Sequence, residues 1–180
     1  MDDPRPIEIP GLWWSITPIT WEQAGLSAEN VDPKCPCTQV DYYQAEELAV
    51  KLGGRLPSSV EWEWMAAGPE RRLYPWGQTP WSAEKANLLP SATGVAVVVG
   101  GFPKGATPDG MLDVAGNVWE WASSAVWDGG AIIKGGSYNS KVLYAITYFL
   151  NSAPKELRSP GIGFRVIRTD ERGHSRLFTP

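Results

Sequence analysis

The chain has 180 residues, a net charge of −4 and 43% hydrophobic residues. This length and composition are those of one globular domain with its own core, and they exclude a disordered chain. The acidic balance argues against a nucleic-acid partner, and the longest apolar run, residues 95–99, is too short for insertion into a membrane. Ten tryptophans, 19 glycines and 16 prolines predict a loop-rich body anchored by aromatic side chains.

The N-terminal third of the chain carries the predicted helices. Residues 5–10 alternate between apolar and polar side chains and are bounded by prolines, which predicts a short edge strand there. Residues 18–26 predict a short helix, and residues 41–52 predict a longer one because their apolar side chains recur at helical spacing. Residues 59–67 predict a second long helix, since Ser58 and the glutamate three positions later form a capping-box pattern.

The rest of the chain has little periodicity and is dominated by turns. Three further strands are predicted, at residues 95–99, 131–138 (interrupted by a glycine pair) and 163–168. We find no repeat, linker or low-complexity tract. We therefore expect a single domain over residues 1–180, with its core at about 5–170 and a polar, frayed tail at 171–180.

The few thiols and imidazoles limit the chemistry of the chain. Cys35 and Cys37 are separated by one residue, and a disulfide between them would close a small, strained ring. A soft-metal site would need more ligands, and the only histidine is His174 in the tail. We interpret the cysteines as two free thiols, and one distant histidine argues against Cys–His or Ser–His–Asp catalysis. The first fifteen residues lack the features of a signal peptide, and the location of the chain stays open.

Five segments, in order along the chain, resemble the blocks of one known family. They are GRLPSSVEWEW (54–64), YPWG (74–77), DVAGNVWEW (113–121), KGGSY (134–138) and GIGFR (161–165). These segments resemble the formylglycine-generating enzyme, or sulfatase-modifying factor, family over roughly residues 5–170. The resemblance implies an α+β, C-type-lectin-like fold with two helices, short antiparallel strands and much irregular loop.

The DVAGNVWEW block also suggests a calcium site. Family members hold a calcium ion at positions that correspond to Asp113, Gly116, Val118 and Glu120 of this chain. Two carboxylates and two backbone carbonyls are the hard oxygen ligands that calcium prefers, so a structural calcium ion is the one cofactor that we expect. The alternative is that Asp113 caps a turn and Glu120 forms a buried ion pair, with Arg165 as a candidate partner.

The residues that catalysis in the family requires are missing. Formylglycine-generating enzymes bind copper through two cysteine thiolates after the GGS block, and the resemblance places these positions at Ser140 and Ala145. Neither side chain can be a soft-metal thiolate, so we expect no copper and no enzyme activity. Sulfoxide synthases that share the fold need an additional helical domain with iron-binding histidines, and this chain contains neither.

The segment after the GGS block resembles that of another branch of the fold. Variable proteins of diversity-generating retroelements lack the catalytic cysteines and carry a hypermutated region between the GGS and GFR blocks, which corresponds here to about residues 138–160. Aromatic and aliphatic side chains alternate with small polar ones in this segment, as they do in binding surfaces. The predicted ligand-binding residues are Tyr138, Asn139, Ser140, Val142, Leu143, Tyr144, Ala145, Thr147, Tyr148, Phe149, Asn151 and Ser152.

The predicted function is therefore a non-catalytic module that displays a variable surface to a protein or glycan ligand. Three alternatives stay open. Residues 142–150 could form a buried strand instead of an exposed loop. The chain could be a formylglycine-generating-enzyme-like oxidoreductase or another enzyme that uses different residues. It could also be a structural subunit of a virion or of a surface assembly.

Overall fold

The computed structural model of the protein describes residues 11–127, 129–169 and 176–178. The strand predicted at residues 5–10 lies outside the described residues, as does most of the tail. Residues 176–178 form a strand that pairs with the first strand of the chain, so the expectation of a frayed tail is wrong for these three residues.

Each α-helix begins at a residue whose side chain caps the free backbone N–H groups of the first turn. The hydroxyls of Thr20 and Ser58 accept the N–H groups of Gln23 and Glu61, whose side chains return the bond in two capping boxes. Asp41 caps the remaining helix. The helices are α1 (Trp21–Ala24), α2 (Tyr42–Lys51) and α3 (Ser59–Ala67). Both long helices are confirmed, and α1 corresponds to the short helix predicted at residues 18–26.

Within the described residues, seven short strands form two sheets. The strands are β1 (Leu12–Ser15), β2 (Trp119–Ala125), β3 (Ala131–Lys134), β4 (Asn151–Ala153), β5 (Ile162–Phe164), β6 (Ile167–Thr169) and β7 (Arg176–Phe178). One sheet has the order β6-β1-β7 and the other has the order β4-β3-β2-β5. The pairs β1–β6, β2–β3 and β3–β4 are antiparallel, as expected, whereas β1–β7 and β2–β5 are parallel. Parallel pairing requires a long crossover, and about forty residues separate β2 from β5.

The apolar run at residues 95–99 is not a strand, so this prediction is wrong. The side-chain amide of Asn117 binds this segment instead, because it accepts the N–H of Val97 at 2.9 Å and donates to the carbonyl of Val97 at 3.0 Å. These are the bonds that a neighbouring strand would otherwise make. Asn87 donates to the same Asn117 oxygen at 3.2 Å, which fixes the amide in place.

The strand predicted at residues 163–168 is two strands in two different sheets. It breaks at Arg165 and Val166, between β5 and β6. The carbonyl of Val166 accepts the N–H of Ser15 in β1 at 3.0 Å, so the chain passes from the four-stranded sheet to the three-stranded one at this point. This short crossing joins the two sheets.

The main core lies between α2 and the four-stranded sheet. The ring of Trp121 is fully buried, contacts Tyr42 of α2 edge-on at 6.0 Å, and donates to the carbonyl of Val40 at 3.2 Å. On α3, Trp62 is buried against the body while Trp64 is half-exposed. Within the described residues, no helix has the length and apolar content that crossing a membrane requires.

Candidate ligand-binding site

The predicted ligand-binding residues do not form one surface. After β3, the chain makes a tight turn, a 3-10 helix at Val142–Ala145 and an irregular stretch before β4. Residues 142–150 are therefore not a buried strand, and they are not a fully exposed loop either. The residues on the rim of a pocket over the four-stranded sheet are Tyr138, Asn139, Asn151 and Ser152.

This pocket, called here the sheet pocket, has a volume of about 430 Å³. Its floor is the apolar face of the sheet, and the floor residues are Trp119, Ile133, Ala153 and Ile162. The turn after β3 and the start of β4 give one side of the rim, where Asn139, Asn151 and Ser152 are exposed and Tyr138 is half-buried. The loop at residues 154–161, called here the wall loop, forms another side of the pocket.

The wall loop is fixed to α2 by its charged residues. The guanidinium of Arg158 lies 2.6 Å from the Asp41 carboxylate and donates to the Gln44 side chain at 2.7 Å. The ammonium of Lys155 lies 4.9 Å from the centre of the Tyr42 ring, within the range of a cation–π contact. These contacts hold the wall in one position relative to the sheet.

Three predicted ligand residues are buried, so the prediction is corrected for them. The Ser140 hydroxyl accepts the N–H of Ser137 at 2.9 Å and closes the turn. Ala145 packs in the small apolar cluster that includes Leu88. The Thr147 hydroxyl donates to the carbonyl of Arg72 at 2.7 Å. In these positions the three side chains stabilise the segment and do not reach a ligand.

Tyr144 and Phe149, which were expected to be exposed aromatic contacts, pack inward instead. Their rings contact each other edge-on at 4.9 Å, and Tyr144 lies 6.0 Å from the Trp119 ring. Both side chains are half-buried against the main core. Tyr144 therefore contacts a floor residue of the sheet pocket, and Phe149 contacts Tyr144. The contact of Tyr144 with Trp119 is a tertiary one that local sequence does not reveal.

A second concave surface, called here the helix groove, lies between α3 and residues 147–150 and has a volume of about 700 Å³. Tyr148, with 59% of its surface exposed, faces Trp64, with 51% exposed, across this groove. The ammonium of Lys134 is buried nearby and donates to the carbonyl of Phe149 at 2.9 Å. Burial lowers the pKa of Lys134, and the Glu63 carboxylate at 3.4 Å opposes that shift.

Val142 and Leu143 lie apart from both concave surfaces, on the 3-10 helix. Val142 is half-buried against the cluster that contains Ala145, and Leu143 is exposed. The twelve predicted residues are thus divided between a pocket rim, a groove, a separate surface and the interior. Sequence reasoning missed Ser137 and Ser159, which also line the sheet pocket. Pro154 and Pro160 lie near the two ends of the wall loop, and they were the sequence feature that could have predicted a loop of fixed conformation there.

The predicted calcium ligands Asp113 and Glu120 are both buried, and Glu120 is bound by a cation of the chain itself. Arg165 donates to its two carboxylate oxygens at 3.0 and 3.1 Å, and the indole N–H of Trp62 donates to one of them at 2.7 Å. The remaining N–H groups of Arg165 bind the carbonyls of Ser15, Ile16 and Leu112. The alternative of a buried Glu120–Arg165 ion pair is therefore confirmed.

Asp113 keeps one oxygen that a cation could use. Its Oδ2 accepts the N–H of Gly100, while Oδ1 is buried without a hydrogen-bond partner among the described residues. Burial raises the pKa of Asp113, the Gly100 N–H and Arg165 oppose the shift, and Glu120 adds to it. A calcium ion bound by all four predicted ligands, which include the carbonyls of Gly116 and Val118, would require Arg165 to share or release the Glu120 carboxylate. The unpartnered oxygen of Asp113 fits a calcium ligand, whereas the Glu120 carboxylate is already neutralised by Arg165. Calcium binding therefore stays a prediction.

Both cysteines of the chain are free thiols, as predicted, and they lie on the loop beside α1. Burial raises the pKa of Cys37 to about 12, so its thiolate is disfavoured. Within the described residues, no group of three or more His, Cys, Asp or Glu side chains could hold a metal ion.

The most similar proteins include enzymes and a protein described as inactive. The hercynine oxygenase of Mycolicibacterium thermoresistibile is 36% identical over 140 residues, which cover 65% of this chain and 31% of that protein. The inactive C-alpha-formylglycine-generating enzyme 2 of Mus musculus is 27% identical over 151 residues, covering 70% of this chain and 46% of that protein. The chain thus spans between about a third and a half of these curated relatives.

Comparison with solved structures identifies the fold. Variable protein 1 of Treponema denticola superposes with a TM-score of 0.70 at 19% identity, over 88% of this chain and 84% of that one. This likeness confirms the C-type-lectin-like architecture expected from the sequence. The family described as "Sulfatase-modifying factor enzyme 1-like domain" matches residues 7–170. The chain belongs to this family.

Proposed function

We propose that this domain is a non-catalytic ligand-binding module of the variable-protein type, with the sheet pocket as its ligand-binding site. The observation that carries the proposal is the arrangement of the segment after β3. Its exposed polar residues Asn139, Asn151 and Ser152 line the pocket, whereas Ser140 and Ala145, which the resemblance aligns with the family's catalytic cysteines, are buried. In binding modules, the residues that contact the ligand usually lie on loops that a rigid scaffold holds in place.

The chemistry of Ser140 supports the absence of catalysis. Its hydroxyl accepts the Ser137 N–H and lies 3.2 Å from the Ser137 hydroxyl, so its partners among the described residues are a backbone amide and another neutral alcohol. An activated nucleophile needs an adjacent general base or a lowered pKa. Neither Ser137 nor the backbone supplies one. The buried Ser140 is therefore a structural residue of the turn.

The direct test is a display library with two matched sets of randomised positions. The first set, Tyr138, Asn139, Asn151 and Ser152, should give folded variants and new binders after selection against unrelated protein and glycan targets. The second set, Ser140, Ala145 and Thr147, should lose surface display, because these side chains are buried. Equal loss of display in both sets, or no binders from the first, contradicts the proposal.

The retroelement origin has its own test. Sequencing the locus should reveal a near-copy of the coding region for about residues 138–165 beside a reverse-transcriptase gene, with differences concentrated at adenines of the template. A locus without such a copy removes the retroelement part of the proposal and leaves the binding module in place.

The second candidate function is an oxidation, because the hercynine oxygenase relative is 36% identical. The sequence has one histidine, His174, so this chain offers few metal ligands of that kind. We expect no oxygen consumption when the chain is incubated with hercynine and iron(II), or with copper(I) and a cysteine-containing peptide. Turnover in either assay, lost on chelation of the metal, would establish the enzyme instead.

A further inference from the structure

The sheet pocket, which the proposed function takes as the ligand-binding site, has no charged side chain among the described residues that line it. One fifth of the residues in the chain are charged, so this surface differs from the rest of the molecule. Its polar groups are the hydroxyls of Ser137, Ser152 and Ser159, the phenol of Tyr138 and two asparagine amides.

The charged residues closest to the pocket in sequence do not line it. Arg158 of the wall loop is bound to Asp41, and Lys155 lies over the Tyr42 ring, so both cations contact α2 or its capping residue. Lys155 and Glu156 line a smaller neighbouring concavity, which shares Ser152, Ala153 and Pro154 with the sheet pocket. An ionised ligand group that entered this pocket would lose water without gaining a counter-charge, which is costly. The pocket therefore selects against charged ligands.

The polar and apolar groups are arranged on different sides of the pocket. The rim carries asparagine amides and serine hydroxyls, which both donate and accept hydrogen bonds. The floor is apolar, with Trp119, Ile133 and Ile162 side by side on the sheet. A sugar ring matches this arrangement, because it has hydroxyls around its edge and an apolar C–H face.

The size of the pocket also favours a small ligand. A volume of about 430 Å³ lies within the range of small-molecule sites, which is roughly 300–1,000 Å³. A stable protein partner would need about 800 Å² of surface on each side, well beyond one such pocket. We propose that the sheet pocket binds an uncharged sugar unit of a glycan, with Asn139 and Asn151 as the residues that select its hydroxyl groups.

The test uses the whole chain labelled with nitrogen-15 and a panel of single sugars. The neutral probes are glucose, galactose, mannose and N-acetylglucosamine, and the charged probes of similar size are glucuronic acid, glucosamine and N-acetylneuraminic acid. At least one neutral probe should shift the amide signals of residues 137–139 and 151–153 in a saturable way. The charged probes should bind about tenfold more weakly or not at all.

Variants then locate the binding. Asn151→Ala removes one hydrogen-bonding side chain from the exposed rim and should lower the association constant about fivefold to tenfold, as loss of one hydrogen bond predicts. Tyr148→Ala, in the helix groove, is the matched control and should leave binding unchanged. Ser152→Asp adds a negative charge to the rim and should shift the preference toward the cationic sugar glucosamine.

Three results overturn the inference: no neutral probe binds, charged probes bind as well as neutral ones, or Asn151→Ala binds like the parent chain. If no sugar binds while the display library yields protein binders at the same rim positions, the proposed function stands and the sugar inference fails. If sugars bind as expected but randomised rim positions yield no binders, the sugar site stands and the variable-protein proposal fails.

Discussion

Replacing Arg165 with methionine is the most informative perturbation of the scaffold. The guanidinium is fully buried, neutralises Glu120 and binds the carbonyls of Ser15, Ile16 and Leu112. Removing one partner of a buried ion pair costs about 3–5 kcal/mol, because the other charge stays behind without compensation. Three carbonyls that lose their donor add to this loss. We therefore expect a decrease of at least about 4 kcal/mol in the free energy of unfolding.

Urea unfolding followed by tryptophan fluorescence measures this loss, since Trp62 and Trp121 are buried. Arg55→Met is the matched control, because the Arg55–Glu61 pair is partly exposed, with 44% of the Arg55 side chain accessible. An exposed pair contributes about 1 kcal/mol or less. If Arg165→Met does not fold, Arg165→Met combined with Glu120→Gln should recover part of the stability, because the uncompensated charge is gone. A loss in Arg165→Met no larger than that of the control refutes the reasoning.

Three further predictions concern calcium, alkaline pH and the Asn117 amide. Saturating calcium should raise the melting temperature by about 5–10 °C in the parent chain and not in Asp113→Asn, and an unchanged parent chain contradicts the calcium prediction. The pKa of Cys37 is about 12 in the folded state against an ordinary 9.0, so stability should fall as pH rises from 9 to 12, by up to about 4 kcal/mol. Burial also raises the pKa of Tyr42 to about 12, so Cys37→Ala should make this dependence shallower in pH-resolved urea titrations without abolishing it, whereas an equally steep profile excludes a contribution from Cys37. Asn117→Ala should cost about 2–4 kcal/mol and speed amide exchange at Val97, and slow exchange there contradicts the proposed amide contacts.

The parts of the fold that local sequence determines were predictable. The capping boxes of α1 and α3 involve residues three positions apart, so the pattern and the contact coincide. The wrong elements depend on distant side chains. Val97 is held by an amide twenty residues away, and the break at Arg165 follows from carbonyls about 150 residues away in sequence. The pattern of apolar residues within residues 95–99 or 163–168 does not reveal these distant contacts.

The candidate site was predictable only in its location. The resemblance placed a binding surface after the GGS block, and the sheet pocket lies there. Which side chains face the pocket depends on tertiary contacts, such as that of Tyr144 with Trp119 and that of Thr147 with the Arg72 carbonyl. Tyrosine is frequent among the residues that dominate binding surfaces, so the residue type of Tyr144 favoured an exposed contact although its ring packs inward. The pocket wall at residues 154–161 depends on its attachment to α2, which the sequence does not reveal.

The inward residues and the rim residues have separate physical tasks. Thr147 and Lys134 bind main-chain carbonyls at Arg72 and Phe149, and Arg158 binds Asp41, so the segment is held by contacts that do not involve the rim. If a ligand binds at the rim, as we propose, it need not order the loop first, and the entropic cost of association is smaller. Substituting a rim side chain leaves these attachments in place. A domain with this separation can change its ligand without changing its fold, which is the physical requirement for a diversified binding surface.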